Sequence, residues 1–278
     1  MTPSPLTKAE NDKLVNGNIR YIDTAEAYDL WSSVYDTDGN FLQALDTIEM
    51  QTLLPRAISL LSSEPQPDKA QSPMNTGLKA VDLGCGTGRN TLQLLPYQAI
   101  TTIVGLELSP KMLEIAQQRC TTALQGLQQP TPSVKAPKLS FYQFDMMRAS
   151  PPELTNNADL IISTLVLEHI PLATFFAVVA RILRPGGLLV MTNMHSEMGQ
   201  ISQAGFVDAK TGDKIRPTSY AHTVGDAIGA AKEAGLELVA SVKETAVDEE
   251  LAKELGARGR KWIGVRVWFG GIWKRDYR

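Results

Sequence analysis

VDLGCGTGR, residues 81–89, stands between a short apolar run at 79–83 and a segment at 87–95 with helical character. Glycines at 84, 86 and 88 let the backbone turn sharply and approach a ligand with no Cβ in the way. The helix start that follows presents unpaired N–H groups and partial positive charge. Spacing narrows the ligand. A dinucleotide fingerprint, G-x-G-x-x-G, needs glycine at position 89, where Arg89 stands, and a P-loop needs a Gly-Lys-Ser/Thr ending that is absent. A tight structural turn is the bland alternative.

Outward from this loop, apolar runs at 101–107, 139–144, 158–165 and 188–193 predict four more strands. Helical patterns alternate with them: 109–119, with Ser109 as N-cap and Pro110 as first residue, and 171–183, closed by Arg184-Pro-Gly-Gly187. Strands alternating with helices predict an α/β protein with a mainly parallel sheet. Glu107 ends the second strand, where a carboxylate can accept both hydroxyls of a ribose. Further on, Thr223 caps a helix reaching Ala234 and Gly235 stops it; a strand at 236–242, a helix at 247–255 and a period-two strand within 261–272 follow. Two late strands without a full crossover predict an antiparallel edge.

Before the loop the pattern is helical. Tyr28, Trp31 and Tyr35 share one helical face, Asp36 to Asn40 reads as a turn, and 41–61 is a helix that Pro55 should kink or divide. Stretches 62–77 and 125–138, rich in proline and poor in apolar residues, are expected to be linkers or long surface loops. The division is therefore 1–77, a helical lid and linker, and 78–278, the ligand-binding core.

Composition limits the partners. The 278 residues are 43% hydrophobic and 21% charged with a formal net charge of −3, which removes the usual electrostatic reason to expect nucleic acid or an anionic membrane. Two cysteines, Cys85 and Cys120, and three dispersed histidines supply neither a disulfide framework nor a metal motif. Without an apolar span or a signal-like N-terminus, a cytoplasmic protein is expected.

VDLGCGTGRN, VGLELSPKML, FYQFDMMR, ADLIISTLVLEHI and LRPGGLLVMT, in this order across residues 79–193, resemble the motifs of class I S-adenosylmethionine (SAM) methyltransferases. The similarity points to the ubiquinone/menaquinone-biosynthesis-like group; YDLWSSVYD and KWIGVRVWFG resemble segments of fungal small-molecule methyltransferases of that group. The resemblance implies a Rossmann-like, doubly wound, seven-stranded sheet whose last strand pair is antiparallel. It implies that Asp82, Gly84, Gly86 and Gly88 cradle the methionine part of SAM, and that Glu107 holds the ribose. Leu108, Asp145 and Met146 would border the adenine and Leu165 would lie near the sulfonium.

Tyr28, Trp31 and Tyr35 are either a helix–core contact or a lid over the SAM pocket, with a tyrosine hydroxyl on the methionine carboxylate; Asp29 and Asp36, in a Tyr-Asp…Tyr-Asp pattern, favour the lid. His195, just after the fifth strand, and His222 are candidate bases or acceptor contacts, whereas His169 is as readily a packing or capping residue. Cys85 reads as a small filler, and Arg258, Arg260 and Lys261 as a solvated basic face. The expected reaction is methyl transfer from SAM to an O or N atom of a small-molecule acceptor in specialised metabolism. Methylation of a protein side chain, or SAM binding without turnover, are the alternatives.

Overall fold

The structure, a computed structural model, describes residues 18–63, 77–127 and 136–277. Most of both expected linkers lies outside the described residues; their described ends extend helices and a strand instead. In chain order the elements are β1 (Ile19–Tyr21), α1 (Thr24–Trp31), α2 (Phe41–Ser63), β2 (Leu78–Leu83), α3 (Arg89–Leu94), β3 (Ile100–Glu107), α4 (Pro110–Leu127) and β4 (Lys138–Gln143). Then come β5 (Ala158–Thr164), α5 (Leu172–Ile182), β6 (Leu183–Met194), α6 (Ser196–Ile201), β7 (Phe206–Val207), β8 (Lys214–Arg216), α7 (Val224–Glu233), β9 (Leu236–Leu238), β10 (Lys243–Ala246), α8 (Glu249–Glu254) and β11 (Arg266–Arg275).

The large sheet runs β10-β11-β6-β5-β2-β3-β4, with β9 also on β11. Strands β2 to β6 are mutually parallel, and β11 runs antiparallel to β6, β9 and β10. Because β6 occupies one edge of β11, β9 and β10 lie end to end along the other. Eight strands thus fill seven positions, and the expected strand at 236–242 is interrupted.

Alternation divides the core. Ala80, Ile103, Leu160, Ile162 and Val190 join the leucines of α2 on one face, while Val81, Val104, Ile161 and Leu189 join α5 and α7 on the other. Helix α2 is not divided by Pro55. Pro55 faces solvent, as does Gln51 one turn earlier, so the carbonyl that loses its helical partner can be met by water.

The chain leaves β2 toward β3 and β4, then returns to the other side of β2 for β5. This reversal opens a crevice beyond the carboxyl ends of β2 and β5, the place where such sheets take ligands. One feature had no sequence signal: a three-stranded sheet, β1-β8-β7, joins residues 19–21 to residues 206–216. No helix among the described residues is long and apolar enough to cross a membrane.

Candidate active site

A cavity of about 580 Å³ occupies that crevice. Gly84 and Gly86 border it after β2, Glu107 and Leu108 after β3, Asp145 and Met146 after β4, and Leu165 after β5, with Tyr28 and Tyr35 on its lid side. Gly86 has φ +53°, and a Cβ there would meet no atom within 4 Å, so its backbone is bare toward open space. Gly88 serves packing instead: a Cβ would lie 2.9 Å from the Cys120 sulfur and 3.2 Å from the Ala116 Cα.

Glu107 fixes the loop as well as facing the cavity. Its Oε2 accepts from the Gly86 N–H at 2.9 Å and its Oε1 from the Ser109 N–H at 2.9 Å. Burial raises its pKa while these N–H groups oppose the rise. Asp82 and Gly88 do not border the cavity. Asp82 is buried at the end of β2 and accepts from the Thr91 hydroxyl at 2.6 Å; burial pushes its carboxyl up to about 7. It staples β2 to α3. Asp145 accepts from the Met147 N–H at 2.8 Å and so shapes the loop after β4.

The repeated Tyr-Asp pattern divides its labour. Asp29 accepts from the Ser109 hydroxyl at 2.5 Å and the Lys111 N–H at 3.2 Å, and Asp36 accepts from the Thr87 hydroxyl at 2.9 Å and Arg119 at 2.8 Å. The two aspartates clamp the N-terminal segment to the first turn of α4 and to the glycine loop, leaving both tyrosines on the cavity. Trp31 stacks on Phe206 at 5.3 Å and donates to Asp38 at 2.8 Å, bordering a second cavity but not the first.

His169 is buried between Tyr28 and the loop before α7. Its Nδ1 lies 2.6 Å from the Thr218 carbonyl, which can only accept, so Nδ1 carries the proton and Nε2 accepts from the Tyr28 hydroxyl at 2.8 Å. Burial lowers its pKa to about 4, which keeps the ring neutral. The Tyr28 hydrogen is thereby committed to His169, and Tyr28 offers the cavity a lone pair. Among the described residues the Tyr35 hydroxyl has no such commitment.

Behind the cavity stands Asp46 of α2, with no exposed surface. It accepts from Arg89 at 2.7 Å, Thr192 at 2.5 Å and the Trp268 indole at 3.0 Å. Asn90 links the same carboxylate, at 3.4 Å, to Thr164 at 2.6 Å. Leu165, next to Thr164, adopts φ +57°, which non-glycine residues rarely enter, and donates its N–H to the Thr192 carbonyl at 2.9 Å.

A second cavity of about 540 Å³ adjoins the first at Tyr28, Tyr35 and Leu165. Glu168 borders it, 3% exposed, with Oε2 lacking a hydrogen-bond partner among the described residues. Burial pushes this carboxyl up to about 7, opposed by its own backbone N–H and aided by the charge of Asp46. The folded chain therefore holds the proton more tightly than the unfolded chain, and this stabilisation, complete below pH ~4.5, is lost as pH rises through about 7. Glu168→Gln is expected to be more stable than the parent at pH 8, by no more than roughly 3 kcal/mol, with the gap narrowing to under about 1 kcal/mol by pH 5. Thermal melts across this range check it; a gap independent of pH contradicts it.

The two histidines singled out from sequence lie elsewhere. His195 is 4% exposed; its Nε2 is 2.7 Å from Glu244 of β10 and its Nδ1 accepts from the Glu197 N–H, capping α6. Its N–H bonds the Val267 carbonyl, so the β6–β11 ladder continues past the strand end and covers it. The Nε2 of His222 is 2.9 Å from the Ile170 carbonyl. Neither borders either cavity, which corrects the expectation that His195 faces the reaction zone and leaves His222, a candidate base or acceptor contact, away from both cavities. Glu168, Asp46 and Tyr35's free hydroxyl were the residues sequence reasoning did not separate from their neighbours.

Comparison with known proteins agrees with this geometry. The sequence model of the methyltransferase domain family matches residues 81–191. An uncharacterized methyltransferase of Emericella nidulans is 50% identical over 266 residues, 91% of each chain. Trans-aconitate 2-methyltransferase of Deinococcus radiodurans is 35% identical over 116 residues, 41% of this chain and 36% of that one. Among solved structures, the [4+2]-cyclase SpnF aligns with a TM-score of 0.56 and 17% identity over 94% of this chain and 100% of that one. The N-methyltransferase NodS of Bradyrhizobium japonicum, bound to S-adenosylhomocysteine (SAH), aligns at 0.54 and 15% over 91% and 99%. The last two show the fold alone. The chain belongs to the class I SAM-dependent methyltransferases, and SAM is its cofactor.

Proposed function

We propose that this methyltransferase transfers the methyl group of SAM to an oxygen or nitrogen of a small-molecule acceptor, in specialised metabolism, without nucleic acid or membrane as partner. The observation that carries it is the pair of adjoining cavities, one lined by the glycine loop and Glu107, the other bordered by the clamped N-terminal segment. The residues fit SAM. Gly84 and Gly86 give backbone approach to its methionine part, Glu107 takes the ribose hydroxyls, and Leu108, Asp145 and Met146 flank the adenine. Tyr35 donates to the methionine carboxylate, because Tyr28 already donates to His169.

When bound, SAM supplies an electrophilic methyl on a sulfonium. The chain's own task is to position the acceptor and exclude water, which the lid tyrosines and Leu165 do at the junction of the cavities. Glu168, buried and with an oxygen that has no partner among the described residues, is the group placed to take the acceptor's proton. The acceptor cavity is a concave pocket of about 540 Å³, a size that suits a small acceptor.

Ligands that bind only the native state raise its melting temperature with concentration. SAM and SAH are expected to do so and NAD is not. Labelled SAM mixed with a cell extract should then place label in the small-molecule fraction. Equal stabilisation by NAD, or label confined to protein, contradicts the proposal.

A further inference from the structure

We propose that the second cavity takes an organic anion, its carboxylate or phosphate held by Lys214, Arg258 and Lys261. The inference rests on the reading of that cavity as the acceptor site and names the chemical class of the acceptor. Three cations from two distant segments border one cavity of about 540 Å³, and they border only that one; Tyr28, Tyr35 and Leu165 border both. The anionic end of an acceptor would therefore sit away from the methyl group and leave its other end at the junction.

The cations are not neutralised. Among the described residues Lys214 donates to the Gly205 carbonyl at 3.1 Å, Lys261 lies over the Trp262 ring at 5.1 Å, and none of the three pairs with a carboxylate. Behind Lys214, two residues along β8 and on the same face, Arg216 is buried and donates to the Tyr21 hydroxyl at 3.3 Å. The carboxylates that border the cavity are Asp38 and Glu168. Asp38 is occupied by the Trp31 indole and the Asn40 N–H, and Glu168 is the buried group at the junction end.

Burial and the neighbouring Arg216, Lys261 and Arg258 lower the Lys214 ammonium to about 8, against a smaller opposing effect of Asp38. An anion seated there would relieve this repulsion. Arg258, Arg260 and Lys261 are all exposed, as expected of a solvated face, and of the three Arg258 and Lys261 also border the second cavity together with Lys214. The small sheet makes this possible, since β1 and β7 hold β8 against the N-terminal segment.

The test uses the full-length protein saturated with SAH, at fixed ionic strength. Succinate, citrate, benzoate and glycerol 3-phosphate are titrated at millimolar concentration against succinamide and benzamide, with melting temperature as the readout. At least one anion is expected to stabilise the complex while the neutral amides do not; which anions do so tells carboxylate from phosphate. Lys214→Met combined with Lys261→Met should weaken that response at least tenfold and leave SAH affinity unchanged. Arg258→Met, at an exposed position, should weaken it severalfold with no risk to folding. Equal effects of anions and amides, no effect of either, or an undiminished response in both variants overturns the proposal. The SAH response is measured separately, so a protein that follows anions but ignores SAH counts against the methyl-transfer reading alone.

Discussion

Asp46→Ala is expected to cost roughly 3 kcal/mol of stability, the low end of the range for removing one partner from a buried ion pair. The low end applies because Arg89 keeps 21% of its side chain exposed and can recover hydration, whereas Asp46 has none to lose. The change also strips the Thr192 hydroxyl and the Trp268 indole of an acceptor in a region both share with the core. For a chain of this size the melting temperature should fall by about 6–10 °C. Asp46→Asn keeps one acceptor oxygen but turns an amide donor toward Arg89 or the Thr192–Trp268 side, so it should recover only part of the loss. A melt within a degree of the parent would show that the network is not structural.

The consequence reaches the site. Asp46 is the point where α2, the start of α3, the end of β6 and β11 meet, and through Asn90 it touches the last residue of β5. Leu165, held in its unusual conformation by the Thr192 carbonyl, stands directly on this network and borders both cavities. Loss of Asp46 should therefore impair turnover more than SAM affinity, because the proposed cofactor contacts Glu107 and Gly86 are bonded to each other and not to this network.

Much of this was legible in the sequence because it was local. The glycine loop, Glu107 at a strand end and Ser109 as a cap each follow from a few adjacent residues, and Ser109 does accept from the Met112 N–H at 3.1 Å. Of the residues the resemblance named, Gly84, Gly86, Glu107, Leu108, Asp145, Met146 and Leu165 border the cavity because each ends or follows a strand of a parallel sheet, so all converge at one end, whereas Asp82 and Gly88 do not border it. Non-local pairing was hidden. Strands β1, β7 and β8 have two or three residues each, too short for period-two alternation to register, and β1 pairs with a strand almost two hundred positions away. Without them Lys214 could not be placed beside Lys261. Asp46 carried no signal, because its partners Arg89, Thr192 and Trp268 lie far along the chain and nothing in its own helix announces them. His195 was expected at the crevice by the right rule, but the rule describes parallel strand ends, and the antiparallel β11 continues over it with Glu244 of β10 closing its ring.

Glu107→Ala should weaken SAM and SAH binding by about a hundredfold. A hydrogen bond to a charged group contributes roughly 1.5–3 kcal/mol, and a carboxylate facing both ribose hydroxyls loses two of them. Water refilling the site returns part of that. A second loss comes from the protein: without the carboxylate, the Gly86 and Ser109 N–H groups lose the acceptor that orders the loop on either side of the cavity. Glu107→Gln preserves length but must point an amide N–H₂ at one of those two donors, so it should behave closer to alanine than its size suggests. Glu107→Asp keeps the charge while pulling it back by one methylene, and should lose ribose contact before loop contact or the reverse, never both in full. Acceptor affinity with SAH saturating should stay unchanged in all three, since Glu107 borders only the first cavity. Titration calorimetry on the folded variants decides it: native-like SAH affinity in Glu107→Ala would mean that this carboxylate shapes the loop and nothing more.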